Sequence, residues 1–224
     1  MRNHGFVSFR DRQDAGKQLA QKLLGYDFHS PVILAIPRGG VVIGGVLAEI
    51  LGAELDVVIA RKLRVPQQPE LAFGGLAEDG SYVLDHHLVN TLGLTQDQVQ
   101  HERDYQKSQI QQRVERFRRV RPLVEIKDRS AIITDDGIAT GATIQAAIRT
   151  VRERGPSELI VAVPIAPPGQ IRILEKSCDK IVCLYTPEGF ASVGQYYQNF
   201  EPITDQEVEM VLKAAYERVG SHQR

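Results

Sequence analysis

Residues 131–143 read Ala131-Ile132-Ile133-Thr134-Asp135-Asp136-Gly137-Ile138-Ala139-Thr140-Gly141-Ala142-Thr143. The stretch is an apolar run, then two adjacent carboxylates, then a glycine- and threonine-bearing turn that opens a helix. An apolar run of this length predicts a buried strand over 130–134, of the kind found in parallel sheets covered on both faces by helices. In an open α/β sheet, ligands sit beyond the carboxyl ends of the strands. Asp135 and Asp136 should therefore project into a crevice, where two neighbouring acceptors suit a vicinal diol. From Gly137 to Thr143 the N–H groups of the turn and the new helix lack partners. With the hydroxyls of Thr140 and Thr143 they can cradle a phosphate at the positive end of the helix dipole. Gly141 is needed where backbone must approach the anion closely. Diol and phosphate together describe a ribose 5-phosphate; a ligand-free capped helix explains each element singly but not the combination.

The same alternation extends outward. Residues 32–36 predict a strand, Pro37-Arg38-Gly39-Gly40 a turn, and 41–51 a helix. A further strand over 55–60 ends in Arg61-Lys62, and strands over 158–163 and 180–185 alternate with helices over 142–154 and 168–177. This predicts an α/β fold, a parallel sheet flanked by helices, carrying a small irregular hood. At the start, Ser8 and Asp11 stand where a cap would lie, ahead of Leu19, Ala20, Leu23 and Leu24 on one helical face. Two stretches break the rhythm. Residues 65–80 contain Pro66, Pro69, Gly74, Gly75 and Gly80, which predicts a loop able to act as a lid. Residues 95–121, within a helical insertion over 85–121, predict a long polar helix whose terminal arginines complement its dipole. The expected organisation is one domain over 1–224, with its core at about 8–185, an irregular C-terminal hood from 186 and a helix over 205–219.

Composition sets the class. The chain has 224 residues, 42% hydrophobic and 25% charged, with 27 Lys plus Arg against 28 Asp plus Glu. Such a chain can bury a full core without disulfides. Its net charge of −1 gives no overall attraction to nucleic acid or an acidic membrane. Cys178 and Cys183 match neither a redox CxxC pair nor a zinc pattern and are expected to be buried, reduced thiols. The start of the chain is polar, and the longest apolar run, 41–48, contains Gly44 and Gly45. Neither a signal peptide nor a membrane span is expected, and the expected compartment is the cytoplasm. There is no GxxxxGK[ST], no HExxH and no GxSxG, and Gly39-Gly40 with Gly44-Gly45 does not fit GxGxxG. No histidine is assigned a catalytic role.

Residues 132–143 resemble the 5-phosphoribosyl-1-pyrophosphate (PRPP) signature of type I phosphoribosyltransferases. Pro37-Arg38-Gly39-Gly40 ahead of a helix resembles their pyrophosphate loop, and the likeness runs in order over roughly residues 32–185. The resemblance implies that Asp135 and Asp136 hold the ribose hydroxyls. It assigns the 5-phosphate to Gly137, Ile138, Ala139, Thr140, Gly141, Ala142 and Thr143, and the pyrophosphate to Pro37, Arg38, Gly39 and Gly40. Arg38, Arg61, Lys62, Asp135 and Asp136 then form the catalytic set, with cations at the leaving group and anions near the sugar. The implied cofactor is Mg²⁺, carried mainly by PRPP and water, so no dedicated metal-ligand cluster is expected.

The implied partners are PRPP and a small nitrogenous acceptor of the nucleobase kind. A second copy of the chain is an admissible partner; membrane and nucleic acid are not expected. In the 6-oxopurine branches the position before the Thr-Gly pair is acidic, whereas here it is Ala139, which argues against those acceptors. The alternative is a non-catalytic PRPP-sensing regulator, a reading that would gain from a continuous exposed basic patch over 113–121. The acceptor pocket is expected under residues 186–202, with Phe190, Tyr196 and Tyr197 either stacking on a base or packing the last helix; for Phe200, packing is expected.

Overall fold

The computed structural model describes residues 8–66 and 68–222. The polar start of the chain up to residue 7, and Gln67 within the expected lid, lie outside the described residues. In chain order the elements are α1 (Arg12–Leu23), β1 (Val32–Ala35), α2 (Gly39–Ile50), β2 (Glu54–Val57), β3 (Ala60–Val65), β4 (Gln68–Ala77), β5 (Tyr82–Leu84) and α3 (His86–Thr91). Then follow α4 (Gln96–Arg118), β6 (Ser130–Thr134), α5 (Ala142–Glu153), β7 (Glu158–Ile165), α6 (Pro168–Leu174), β8 (Lys180–Tyr185), a 3₁₀ turn (Val193–Tyr196) and α7 (Asp205–His222).

Five strands form one parallel sheet in the order β2-β1-β6-β7-β8. Their side chains alternate between two apolar layers, as the pleat requires. Ile33, Ala35, Ile132, Ile160 and Ala162 face the layer that holds Leu19 and Leu23 of α1, Ile43 and Leu47 of α2, and Leu212 of α7. Leu34, Ala131, Ile133, Leu159 and Val161 face Ile144, Ala147 and Val151 of α5 and Leu174 of α6. Burial on both faces is why the strands read as continuous apolar runs. From β1 the chain passes to β2 on one side and later returns through β6 on the other. The loops leaving β1 and β6 thus diverge at adjacent carboxyl ends, with Ala35 paired to Thr134, and a crevice opens there.

The stretch 65–80 departs from expectation: most of it is strand β4, in an antiparallel sheet ordered β3-β4-β5. The glycines that read as turn signals mark close backbone approach. A Cβ at Gly74 would lie 2.3 Å from the Val83 carbonyl oxygen, and one at Gly75 would lie 2.2 Å from that of Ala142. Only a glycine strand can cross the start of α5 at that distance. This small sheet is the hood, and Arg61 and Lys62 lie within its first strand instead of at the end of a core strand. Residues 186–202, expected to be the hood, instead fold back onto the start of the described chain. Phe9 N–H donates to the Tyr196 carbonyl at 2.8 Å and Gln198 N–H to the Phe9 carbonyl at 2.8 Å. The Phe9 ring meets Tyr197 at 5.2 Å between centroids.

Local signals account for the helix starts. Asp11 caps α1 by accepting from Asp14 N–H at 2.8 Å. Thr95 and Gln98 form a reciprocal capping box at α4,. Cys178 and Cys183 are free, and burial pushes both thiols up to about 11. Among the described residues no helix is long and apolar enough to cross a membrane.

The arginines near the end of α4 do more than complement a dipole. Strand β2 is a sheet edge, and its outward carbonyls need partners. Arg121 Nε donates to the Leu55 carbonyl at 2.8 Å and Arg118 Nη2 to that of Val57 at 3.2 Å. Arg118 also pairs with Asp56 at 2.5 Å, a carboxylate that is 0% exposed. Removing one partner of a buried pair strands the other charge. Arg118→Met should therefore lower stability in urea unfolding by about 3–5 kcal/mol, whereas Arg119→Ala, at an exposed position, should stay within about 0.5 kcal/mol of the parent protein.

Glu78, at the end of β4, lies 3.7 Å from Arg118. Burial pushes its carboxyl up to about 7, against the pull of Arg118. The folded state therefore holds a proton there that the unfolded chain releases near pH 4.5. Stability at this group is full below the unfolded value and falls as pH rises through about 7. Glu78→Gln should gain melting temperature relative to the parent between pH 5 and pH 8, and a constant difference across that range would refute the assignment.

Candidate functional site

The loops leaving β1 and β6 pack directly on each other. Arg38 precedes α2, the Pro37–Arg38 peptide is cis, and Gly39 and Gly40 open the helix against the acid pair. A Cβ at Gly39 would fall 1.8 Å from Asp136 Oδ2, and one at Gly40 would fall 2.9 Å from Asp135 Cα. Any side chain at these positions would push the Arg-Gly-Gly turn off the carboxylates.

Asp135 and Asp136 each commit one oxygen to the protein. Asp135 Oδ1 accepts from Asp136 N–H at 2.8 Å, and Asp136 Oδ2 accepts from Arg12 Nε at 2.8 Å. Burial raises the Asp135 carboxyl well above the ordinary carboxylate range, and the charge of Asp136 adds to the shift. Asp136 is also raised, by burial, with Arg12 opposing. Such a pair is stabilised by hydrogen-bond donors or positive charge brought to it.

Gly141 sits at φ +77° as the residue before α5, and no side chain caps that helix. The N–H groups of its first turn therefore have no side-chain partners, and Gly141 and Thr143 border a cavity. This cavity, about 610 Å³, is lined by Arg12, Lys62, Asp135, Asp136, the loop from Gly137 through Gly141, Thr143, and on its far wall Val193, Gly194 and Phe200. A second chamber of about 320 Å³ adjoins it and carries Pro37, Arg38, Arg61, Lys62, Arg64 and Arg113. Lys62, Asp135 and Thr143 line both. Burial lowers the Arg61 guanidinium, and the neighbouring charges of Arg113 and Arg64 add to this. Burial also lowers Arg113, with Asp205 pulling the other way and Arg38 adding to the fall. Cations crowded to that degree favour an anion between them.

The structure thus brings Pro37, Arg38, Arg61, Lys62, Asp135, Asp136, Ile138, Ala139, Thr140 and Thr143 around two joined chambers. Ala142 turns its carbonyl to the hood strand instead. Tyr196 and Tyr197, 5% and 7% exposed, belong to the core. Tyr197 donates its hydroxyl to the Asp136 carbonyl at 2.6 Å, and Phe190 stacks on Tyr196 at 5.7 Å. None of the three lines the larger cavity; Phe200 does.

Three contributors lie outside the loop motifs. Arg12 sits one turn ahead of Gly16 and in line with Leu19 and Leu23, so a cation on the apolar face of α1 was its only trace in the sequence. Arg113 comes from the long polar helix whose arginines were expected to complement its dipole, and Arg64 from the stretch bordering the expected lid. The remaining arginines of 113–121 do not form a continuous exposed patch: Arg116 and Arg119 are exposed, but Arg118 turns inward to Asp56 and Arg121 is buried against Glu54 at 2.8 Å. Among the described residues, no group of three or more His, Cys, Asp or Glu could hold a metal ion.

The family model described as "Phosphoribosyl transferase domain" matches residues 10–198. A Mycobacterium tuberculosis protein named "Putative phosphoribosyl transferase", recorded from two strains, is 44% identical over 208 residues, 93% of this chain and 47% of that protein. The chain therefore spans about half the length of the curated relatives it matches. The crystal structure of TT1426 from Thermus thermophilus superposes with a TM-score of 0.78 at 40% identity, covering 92% of this chain and 98% of that one. AQ2163 of Aquifex aeolicus shares the fold at 14% identity and a TM-score of 0.50, over 82% of this chain and 78% of its own. The family match takes in both diverging loops, the acid pair and the hood strands between them: the chain belongs to the phosphoribosyl transferase family.

Proposed function

We propose that the protein transfers the 5-phosphoribosyl group of PRPP to a nitrogenous acceptor of the nucleobase kind and releases pyrophosphate. The observation that carries this reading is the pair of joined chambers, the larger holding Asp135 and Asp136 and the smaller holding four arginines, meeting at Lys62, Asp135 and Thr143. The anomeric C–O bond breaks with its electron pair leaving on pyrophosphate, while positive charge builds on the ribose and the acceptor nitrogen forms the new bond. A site with fixed anions on the sugar side and fixed cations on the leaving-group side favours that charge separation. The 5-phosphate rests on the turn from Ala139 to Thr143 that opens α5, since the Ile138 N–H, expected to be free, is already held by the Ile165 carbonyl at 2.9 Å, and the ribose diol donates to Asp135 and Asp136. A Mg²⁺ ion carried by PRPP and water would supply charge neutralisation at the phosphates, next to Arg38, Arg61 and Lys62,.

The acceptor enters the larger chamber between the acid pair and the wall of Val193, Gly194 and Phe200. That wall replaces Phe190, Tyr196 and Tyr197 as the surface for a planar ring. Ala139 offers no carboxylate to a 6-oxopurine, so bases other than hypoxanthine, guanine and xanthine are the expected acceptors. Pyrophosphate release from PRPP and Mg²⁺ across a panel of bases tests the reading, and release with none of them in a folded protein that binds PRPP would leave the sensor in place of the enzyme.

Asp135→Asn and Thr140→Ala should each weaken PRPP binding in calorimetry by roughly 1.5–3 kcal/mol, the worth of a hydrogen bond to a charged group. Asp135→Asn should at the same time raise the melting temperature, because it removes a carboxylate whose ionisation burial opposes. A variant that gains stability and keeps full affinity would take Asp135 out of the site. Arg61→Ala and Lys62→Ala should lower kcat by about 10²–10³ with a smaller change in KM for PRPP, since their interaction grows as the bond breaks. A rise in KM alone would make them ground-state binders.

A further inference from the structure

Arg12 lies far from both loops in sequence, yet it is bound into the centre of the site. Its Nε donates to Asp136 Oδ2 at 2.8 Å and its Nη1 to the Glu201 carbonyl at 2.9 Å. Its guanidinium lies 3.9 Å over the Phe200 ring. Only 9% of the side chain is exposed. The same two atoms, Asp136 Oδ2 and Arg12 Nε, fill the space that a Cβ on Gly39 would need. Four separate segments therefore converge on one planar cation: the first helix, the loop after β1, the loop after β6 and the C-terminal return. A planar guanidinium can do this because it bonds in its plane and stacks on its face.

We propose that Arg12 is a positioning residue of the transferase site: it holds the Asp136 carboxyl in a fixed orientation as acceptor for the ribose diol and ties it to the Phe200 wall where the acceptor enters. The inference rests on the phosphoribosyl-transfer reading above. Arg12 acts through Asp136 and Phe200 and touches no reacting atom. Its charge is the counterweight to burial at Asp136. The other charged or titratable groups facing the pair are Asp135 and Lys62 in the cavity, Tyr197, whose hydroxyl bonds the Asp136 carbonyl, and Glu207 of α7, which feels the Arg12 charge. Lys62 lies on the hood sheet, and among these groups Arg12 alone donates to the Asp136 carboxylate.

The test compares the full chain with Arg12→Gln and Arg12→Lys. Carbon-13 carboxyl titration of aspartate-labelled protein, without ligand, reads Asp136 directly. Its midpoint should move to higher pH in Arg12→Gln and return part of the way in Arg12→Lys. Calorimetry with PRPP and Mg²⁺ should show binding weakened about tenfold or more at neutral pH in Arg12→Gln, with recovery as pH rises. An unmoved Asp136 midpoint in Arg12→Gln overturns the proposal, as does a loss of affinity equal at every pH. If Arg12→Gln fails to fold, Arg12→Lys carries the same comparison, and an Asp136 midpoint identical to that of the parent overturns it. If the parent chain itself binds no PRPP, the transfer reading fails, while the carboxyl titration still decides whether Arg12 holds Asp136.

Discussion

Parallel strands β1 and β6 end side by side, and Ile36 N–H extends their ladder by donating to the Thr134 carbonyl at 2.9 Å. That hydrogen bond fixes two loops of opposite character against each other. One carries Arg38 and two glycines, the other two carboxylates. A helix starts directly after the first loop, so the glycines are where the carboxylates need room. The depth of the acid pair and the placement of the cations both depend on this contact between backbone and carboxylate.

The contact carries an energetic cost. Two adjacent, half-buried carboxylates at a sheet end resist ionisation, and both are raised by their removal from water. The surrounding structure offsets part of this with the Asp136 N–H and Arg12. A few ångströms away the opposite imbalance holds, with Arg38, Arg61, Arg64 and Arg113 crowded around one chamber. Neither half is at its electrostatic minimum alone. A molecule with hydroxyls at one end and a polyanion at the other relieves both, and this ties the stability of the empty site to its chemistry.

The hood is coupled to the core by glycine and by arginine. Gly75 lets β4 lie on the start of α5, next to the loop that precedes it, and Gly74 lets β4 approach the Val83 carbonyl of β5. Helix α4 holds β3 from the other side: Gln106, 0% exposed, accepts from Arg61 Nε at 2.5 Å, and Glu102 accepts from Arg64 N–H at 3.0 Å. The basic chamber is thus assembled from β1, the hood and α4 together. Its arginines hold their places because polar groups of α4 and Asp205 at the start of α7 brace them.

The parallel sheet was legible along the chain, because strands buried on both faces must be apolar over their whole length. The acid pair and the glycine-threonine turn that opens α5 were legible as well, because a short strand-turn-helix carries its whole geometry within a dozen residues. Long-range packing set the remainder. Most of 65–80 is a strand whose Gly75 is demanded by a neighbour far along the chain, the Ala142 carbonyl. Tyr196 and Tyr197 became core residues, and Phe200 a cavity wall, because the C-terminal return pairs with Phe9. Arg12 and Arg113 reached the site from helices whose patterns concern only their own faces. Local spacing encodes contacts made within one or two turns of chain; a side chain bonded across 124 residues, as Arg12 is to Asp136, leaves no periodicity to read.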